Sequence, residues 1–266
     1  MQHRNDKFPT YEQVYPDVHL IGIRHRDINR YRHRKSIEHF KKKLRSLDHL
    51  AFEGNERSHR ANSELGRLNY EQIALRHFQG QKHFLEENSN YLEILEKQGV
   101  SHSLFGMFKA VYGFASAYIE SSEMDNLNMR SCLELAKQIY PGYNHANIES
   151  IVQVFPLLMA DLLKNNELLE ACYEGAIQFN SYLTRVRDHA IYVPGIEKLR
   201  TDFEGQIGVV LGLNHVGYVR DLLLCDIRPE YIRWKPYTEK LDTKPQNGIR
   251  FLEEFVKKHF ESSPAA

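Results

Sequence analysis

Residues 207–215 have the sequence IGVVLGLNH, an apolar run followed by the motif G-x-x-H, which ends at His215. Residues 18–25, VHLIGIRH, repeat this pattern and end at His25. A short apolar run predicts a buried strand, and a glycine after it permits a sharp turn of the backbone. A single G-x-x-H would carry no weight in a chain with 14 histidines. Two copies, each at the end of a strand-like run, form a specific pattern.

The segment between residues 18 and 53 predicts a strand, a helix and a second strand. The second strand is LAFE at residues 50–53. The helix is indicated by apolar residues spaced three, four and three apart, at Ile37, Phe40, Leu44 and Leu47. A helical connection makes the two strands parallel, and ligands collect beyond the carboxyl ends of such strands. We therefore expect His25 and Glu53 to point into the same crevice.

Residues 58–183 show helical apolar spacing almost throughout. We expect helices over residues 69–87, 90–98, 103–120, 129–140, 147–164 and 166–182. Pro156 is expected to kink its helix or end it early. Further helices are predicted up to about residue 203, over 216–225 and over 248–260, with an edge strand over 231–234. The expected fold class is α/β, a mixed central sheet built from two related G-x-x-H halves. The whole chain, 1–266, would form a single domain with a large helical insert at about 58–183.

Composition narrows the class of protein. A hydrophobic content of 42% is ordinary for a globular chain, and a formal net charge of zero argues neither for nor against a polyanionic partner. No nucleic-acid partner is expected, because no recognised binding motif accompanies the basic segment 24–35. No run approaches the roughly 18 apolar residues of a membrane helix, and the polar N-terminus lacks a signal-peptide core. We therefore expect a cytoplasmic protein without membrane association. Three cysteines are too widely spaced for a zinc motif and are interpreted as reduced core thiols: Cys132, Cys172 and Cys225.

Two histidines and a carboxylate at strand ends can hold a divalent metal ion. His25, His215 and Glu53 would suit Zn, Co or Mn, and the metal would acidify a bound water for hydrolysis. A metal-free alternative uses a histidine as a general base activated by Glu53. In either version Arg187 would stabilise a developing oxyanion, and Asp188 would orient Arg187 or a histidine.

Other polar residues have less specific interpretations. Arg24 and Asn214, each next to one of the two histidines, are predicted to bind substrate. Residues 24–35 are rich in arginine and lysine, and they form either a solvated loop or a positive rim that favours an anionic substrate. Structural alternatives also remain for the site: Glu53 could pair with Arg57, and the adjacent Arg187 and Asp188 could be an ordinary surface pair. Histidines without a partner at ligand spacing are interpreted as surface or core residues: His77, His83 and His102.

Four blocks of the sequence together resemble the TraB/PrgY/TIKI family, which belongs to a wider group with erythromycin-esterase-like and ChaN-like proteins. The blocks are VHLIGIRH, LAFEGNER, RVRDHAI and VVLGLNHVGYVRDLL. The resemblance implies a mixed α/β domain made of two related halves. The residues that match the family pattern are Gly22, His25, Glu53, Arg187, Asp188, Gly212 and His215, with the two glycines in structural roles. The chain departs from the pattern at Val186, at Arg57 and at the arginines that flank His25.

Members of that family include metal-dependent peptidases, esterases, and proteins that bind haem or peptide signals. The prediction for this chain is a metal-dependent hydrolase that cleaves a peptide or ester bond in a small-molecule or peptide substrate. One alternative is a non-catalytic binding protein for a peptide signal, an anionic metabolite or haem. Another is a helical interaction protein that keeps a relic of the site. A homodimer is one assembly that the sequence allows.

Overall fold

The computed structural model describes residues 9–25, 28, 33–64, 68–87, 91–121, 133–134, 144–224 and 243–261. The chain divides into two compact units. The first comprises residues 1–89 and 184–230, and the second comprises residues 90–183 and 231–266. Several predicted features lie outside the described residues: the edge strand at 231–234, most of the helix at 129–140, Cys132 and Cys225.

The first unit contains a five-stranded sheet with the order β1-β2-β5-β3-β4. The strands are β1 (Thr10–Tyr15), β2 (Val18–Ile23), β3 (His49–Phe52), β4 (Gln81–Phe84) and β5 (Ile207–Gly212). β1 is antiparallel to β2, and every other pairing is parallel. The predicted mixed α/β class is confirmed. However, β5 lies between β2 and β3, so the strands of the predicted strand-helix-strand segment are parallel without being neighbours.

The helices of the two units are numbered in chain order. They are α1 (Arg34–Leu44), α2 (Glu56–Glu64), α3 (Tyr70–His77), α4 (Tyr91–Lys97), α5 (His102–Ser121), α6 (His145–Leu162), α7 (Asn166–Arg187), α8 (Val193–Asp202), α9 (Leu213–Leu224) and α10 (Lys244–Val256). Single π-helical turns follow α7 at Asp188–Tyr192 and α10 at Lys257–Glu261.

The prediction of one helix over residues 69–87 is wrong. α3 begins at the N-cap Asn69, whose side chain accepts a hydrogen bond from Gln72 N–H, but it ends when Phe78 adopts an extended conformation. Gly80 then passes so close to the chain that an added Cβ would lie 2.3 Å from the Asp48 carbonyl oxygen. The pairing of β4 with β3 follows at once, and this long-range pairing overrides the local helical composition.

Helices cover both faces of the sheet, as expected where most strands are parallel. On one face, α1 and α3 bury Phe40, Leu44 and Ile73 against Ile21 and Phe52. Burying an apolar side chain of this size stabilises a fold by about 1.5–3 kcal/mol. On the other face lies α9, which contacts β2 and β5. Because every residue of β5 is buried, its sequence is a continuous apolar run rather than an alternating one.

The second unit is helical among its described residues. It contains α4, α5, α6, the part of α7 up to Leu183, and α10. α6 begins with a capping box formed by Asn144 and Asn147, and it does not end early at Pro156 but continues to Leu162. Cys172 is buried and free of a disulfide, as expected for a core thiol. Among the described residues, no helix has both the length and the apolar character needed to cross a membrane.

Candidate functional site

The two G-x-x-H motifs meet at one edge of the sheet in the first unit. β2 and β5 are adjacent and parallel, and Ile23 lies opposite Gly212 at their carboxyl ends. The chain continues from β2 to His25 and from β5 into the first turn of α9, which carries His215. The third element at this edge is β3, which is followed directly by Glu53.

The carboxylate of Glu53 lies at the centre of the site, and its side chain is only 11% exposed. Oε2 accepts a hydrogen bond from Gly212 N–H at 2.7 Å and lies 3.3 Å from His25 Nε2. Oε1 accepts a hydrogen bond from Arg187 at 3.2 Å and lies 3.3 Å from His215 Nε2. One carboxylate thus joins both histidines, the predicted guanidinium and the end of β5. The alternative pairing of Glu53 with Arg57 is not needed to explain its burial.

Each histidine also contacts a second carboxylate through its other ring nitrogen. His25 Nδ1 lies 3.2 Å from Glu71 Oε2, and His215 Nδ1 lies 2.5 Å from Asp188 Oδ1. The site is therefore a linear array in which three carboxylates alternate with two imidazoles. Asp188 is completely buried, so its interpretation as half of a surface ion pair is wrong.

Arg187 is held from both sides. Besides Glu53, it donates hydrogen bonds to Glu86, from Nε at 2.9 Å and from its terminal nitrogen. Glu86 also accepts a hydrogen bond from Tyr192 Oη at 2.5 Å, and the guanidinium lies over the Tyr192 ring, 5.3 Å from the centroid. A π-helical turn, Asp188–Tyr192, follows directly after Arg187 and brings Tyr192 to this position.

These contacts form what is called below the Glu53 network: His25, Glu53, Glu71, Glu86, Arg187, Asp188, Tyr192 and His215. Three of its members are not predicted from the sequence: Glu71, Glu86 and Tyr192. Glu71 lies in the first turn of α3, where an acidic residue is common because it interacts favourably with the helix dipole. Glu86 follows β4, a strand that the sequence did not reveal. Burial would mark Glu71 and Glu86 as paired residues, because an unpaired carboxylate is rarely buried. Their burial, however, follows only from the tertiary fold.

The pKa values of the central groups reflect their mutual contacts. Burial by itself would raise the pKa of Glu53, but His215, His25 and Arg187 outweigh burial and hold that pKa well below its usual value. Burial would lower the pKa of both histidines, yet the flanking carboxylates raise it to about 9 for His215 and about 11 for His25. Without a bound cation, both imidazoles therefore carry a proton near neutral pH.

The motif glycines allow close packing at this edge, and neither has a positive φ. Gly22 lies inside β2, so the sharp turn expected there is absent. Gly212 is the last residue of β5, and the chain enters α9 directly after it. A Cβ on Gly22 would lie 2.4 Å from Thr10 Oγ1. A Cβ on Gly212 would lie 2.5 Å from His25 Nε2. The positive φ at this edge belongs instead to Gly54, which follows Glu53.

Gly212→Ala is expected to push the His25 ring away from Glu53, because the new Cβ would lie only 2.5 Å from Nε2. The pKa of His25 should then fall from about 11 toward its ordinary 6.5. NMR titration of the His25 ring proton, in the presence of a chelator, measures this change. Gly217→Ala is the matched control, since an added Cβ there meets nothing within 4 Å. An unchanged His25 pKa in Gly212→Ala would contradict this account of the glycine.

The substrate-binding roles of Arg24 and Asn214 stay predictions. Arg24 is half-buried directly before His25, and Asn214 is exposed on the first turn of α9. Of the basic segment 24–35, residues 26–27 and 29–32 lie outside the described part of the chain. Arg34 lines a cavity of about 460 Å³ together with Lys41 and Arg76 of α1 and α3, and no member of the Glu53 network lines it. The preference for an anionic substrate stays a prediction.

No family model, curated protein or solved structure matches this chain. The resemblance to the TraB/PrgY/TIKI family therefore stays a prediction, and the site has to be interpreted from its own geometry. Within the described residues, no group of three or more His, Cys, Asp or Glu side chains is arranged as a ready metal site. The predicted ligands are hydrogen-bonded to one another instead.

Proposed function

We propose that this protein is a metal-dependent hydrolase that cleaves a peptide or ester bond at the Glu53 network. The observation that carries the proposal is the convergence of two imidazole Nε2 atoms on one carboxylate, each at 3.3 Å. His25, His215 and Glu53 would hold the ion, as the sequence predicts. The choice between Mn, Co and Zn is left to the experiment, because imidazole and carboxylate ligands suit all three.

The charge of the network supports a divalent cation. Four carboxyl groups belong to the network, those of Glu53, Glu71, Glu86 and Asp188, and two of them, Glu53 and Glu86, contact the guanidinium of Arg187. Burying this excess of negative charge is costly unless further positive charge is added. Two protons on the imidazoles supply it in the metal-free state. One divalent cation would supply the same charge, and metal binding to histidine requires that the imidazole proton leave.

The outer contacts of the two histidines fit ligand roles. Histidines that bind a metal usually donate their second ring N–H to a carboxylate or a carbonyl, which fixes the tautomer and the ring orientation. Glu71 and Asp188 occupy that position on His25 and His215. Asp188 Oδ2 is buried and has no hydrogen-bond partner among the described residues, so Asp188 is committed to His215 alone.

The chain's own residues control substrate access, stabilise the oxyanion and position the metal ligands. His25 is 46% exposed, whereas His215 is 6% and Arg187 12% exposed, so a substrate reaches His25 first. When bound, the metal supplies an acidified water and polarises the scissile carbonyl. Arg187, fixed by Glu86 and Tyr192, presents a permanent positive charge toward the oxyanion that develops on that carbonyl. Glu53 keeps both imidazoles on the same side of the sheet edge.

Proton release tests the proposal independently of any substrate. Adding Mn, Co or Zn to the metal-free protein in weak buffer at neutral pH should release about two protons per bound ion. His25→Ala and His215→Ala should each lose the bound ion, whereas the exposed His77→Ala, on the outer side of α3, should bind as the wild type does. Unaltered metal content in both site variants would exclude this metal centre.

Turnover then separates the hydrolase from the alternative of a binding protein. Esterase and peptidase substrate panels should show metal-stimulated hydrolysis that Arg187→Met abolishes while metal content stays unchanged. A metal-loaded protein that binds peptides, anionic metabolites or haem without hydrolysing any panel substrate would favour the non-catalytic alternative.

A further inference from the structure

A second histidine pair lies in the first unit, away from the Glu53 network. His49 is the first residue of β3, and His83 is in β4, the neighbouring edge strand. Because His49 lies opposite Gln81 and Ala51 opposite His83, the two histidines point to the same face of the sheet. His49 Nδ1 lies 3.3 Å from His83 Nε2. The two histidines are 34 positions apart along the chain, so residue spacing does not predict the pair.

The hydrogen bonds of the pair define which ring nitrogens hold protons. His49 Nε2 lies 3.1 Å from the Glu204 carbonyl oxygen, which can only accept, so this nitrogen donates. With Nε2 as the donor to this carbonyl, His49 Nδ1 accepts the hydrogen bond from His83 Nε2–H, and a metal ion bound between them would require the His83 ring proton to move to Nδ1. A backbone carbonyl that fixes one ring nitrogen while the other presents a lone pair is the arrangement found around metal-binding histidines.

Both rings are held in place by a neighbouring aromatic side chain. Phe203 packs against both imidazoles, with ring centroids 4.9 Å from His49 and 4.8 Å from His83. Burial lowers the pKa of His83, and the neighbouring His49 lowers it further. Because Phe203 packs against both rings, little side-chain freedom is left for a metal to remove.

We propose that His49 and His83 form a two-histidine site for a borderline transition-metal ion, Zn(II), Ni(II) or Cu(II). Two imidazole nitrogens bound at 2.0–2.1 Å to a tetrahedral zinc ion lie about 3.3–3.4 Å apart, which matches the separation in this pair. No third His, Cys, Asp or Glu joins the pair within the part of the chain that is described, so water would fill the other positions. Imidazole suits these three ions, whereas Mg and Ca prefer oxygen ligands.

The ion would act as a clamp between β3 and β4. β4 is a four-residue edge strand that pairs only with β3 in this sheet. Glu86, which holds Arg187, follows two positions after the end of β4. An ion that binds the folded but not the unfolded chain stabilises the fold in proportion to its occupancy. Metal at this site should therefore stabilise the pairing of β4 with β3 and so keep Glu86 in contact with Arg187.

The test uses the full chain with His25 and His215 replaced by alanine, which removes the other candidate metal site. Zn(II) and Cu(II) chloride are titrated and followed by calorimetry and by the unfolding temperature. One ion should bind and raise the unfolding temperature. His49→Gln and His83→Gln should each weaken binding by about 10-fold or more. His19→Gln, a strand histidine of the same sheet, is the control and should bind as its parent does.

A second measurement avoids substitution at the pair itself. In the chain with His25 and His215 replaced by alanine, labelled with nitrogen-15, adding Zn(II) should shift the ring nitrogen signals of His49 Nδ1 and His83 Nε2 together, at one ion per chain. Electron paramagnetic resonance of the Cu(II) form should show coupling to two imidazole nitrogens. Ring signals of both histidines that do not move, or equal ion binding in all three glutamine variants, would overturn the proposal.

Discussion

Glu53→Gln is expected to lower the free energy of unfolding by about 3–5 kcal/mol, because removing one member of a buried ion network leaves the others uncompensated. Glu53 is the only carboxylate that contacts His25, His215 and Arg187 together among the described contacts. The substituted amide is neutral, and its NH2 group cannot accept the hydrogen bonds that the lost oxygen accepted. Urea denaturation followed by far-ultraviolet circular dichroism, with a chelator present, measures the change.

Glu56→Gln is the matched control for this substitution. Glu56 is an exposed carboxylate three positions later, and it pairs with Arg60 within α2 at 3.5 Å. Exposed pairs of this kind contribute about 0.3–0.5 kcal/mol, so the control should unfold close to the wild type. If Glu53→Gln and Glu56→Gln unfolded at the same urea concentration, the Glu53 network would have no central role in stability.

Alkaline destabilisation is the second large effect. The pKa of His215 is about 9 in the folded chain and 6.5 in the absence of its neighbours. A raised pKa stabilises the fold fully below pH 6.5, and this contribution disappears as the pH rises through 9. The difference corresponds to about 3 kcal/mol, most of it lost between pH 6.5 and pH 9. His25 adds a further loss up to about pH 11, weakened by solvent screening because its side chain is half-exposed.

Unfolding free energies of the metal-free chain, measured from pH 6.5 to pH 9 in the presence of a chelator, check this expectation. His215→Gln should be less stable at pH 6.5 and should lose much less stability toward pH 9. An equal slope in the wild type and in His215→Gln would show that the imidazole is not held protonated by Glu53 and Asp188.

At acid pH the dependence of stability on pH has the opposite sign. The lowered pKa of Glu53 stabilises the fold above pH 4.5 and stops doing so as that carboxylate is protonated.

Local pattern predicted those parts of the site that lie directly after strong apolar runs. β2, β3 and β5 were identified because their runs are short and almost uninterrupted, which is what burial in a parallel sheet requires. His25, Glu53 and His215 follow these strands, so their meeting at one edge could be expected. The reason for the motif glycines could not be expected in the same way, because it depends on how closely His25 lies beside Gly212.

The partners of these residues had no comparable signal. Glu86 follows β4, whose sequence, QKHF, has no apolar run and falls within the predicted helix over residues 69–87. His83 lies in the same segment, and strand pairing rather than spacing along the chain brings His49 to it. Insertion of β5 between β2 and β3 was also beyond prediction, because the order of parallel strands is decided by packing over long sequence distances.

The sequence by itself determined that this is an α/β chain with two histidines and a carboxylate at strand ends, because strand burial and helical periodicity are written in local residue spacing. Only the tertiary structure decided that Glu71, Glu86 and Tyr192 join that group. It also decided which carboxylates flank the two imidazoles and raise their pKa values. Burial and charge at these positions depend on neighbours from distant segments, and those neighbours meet only once the sheet has formed.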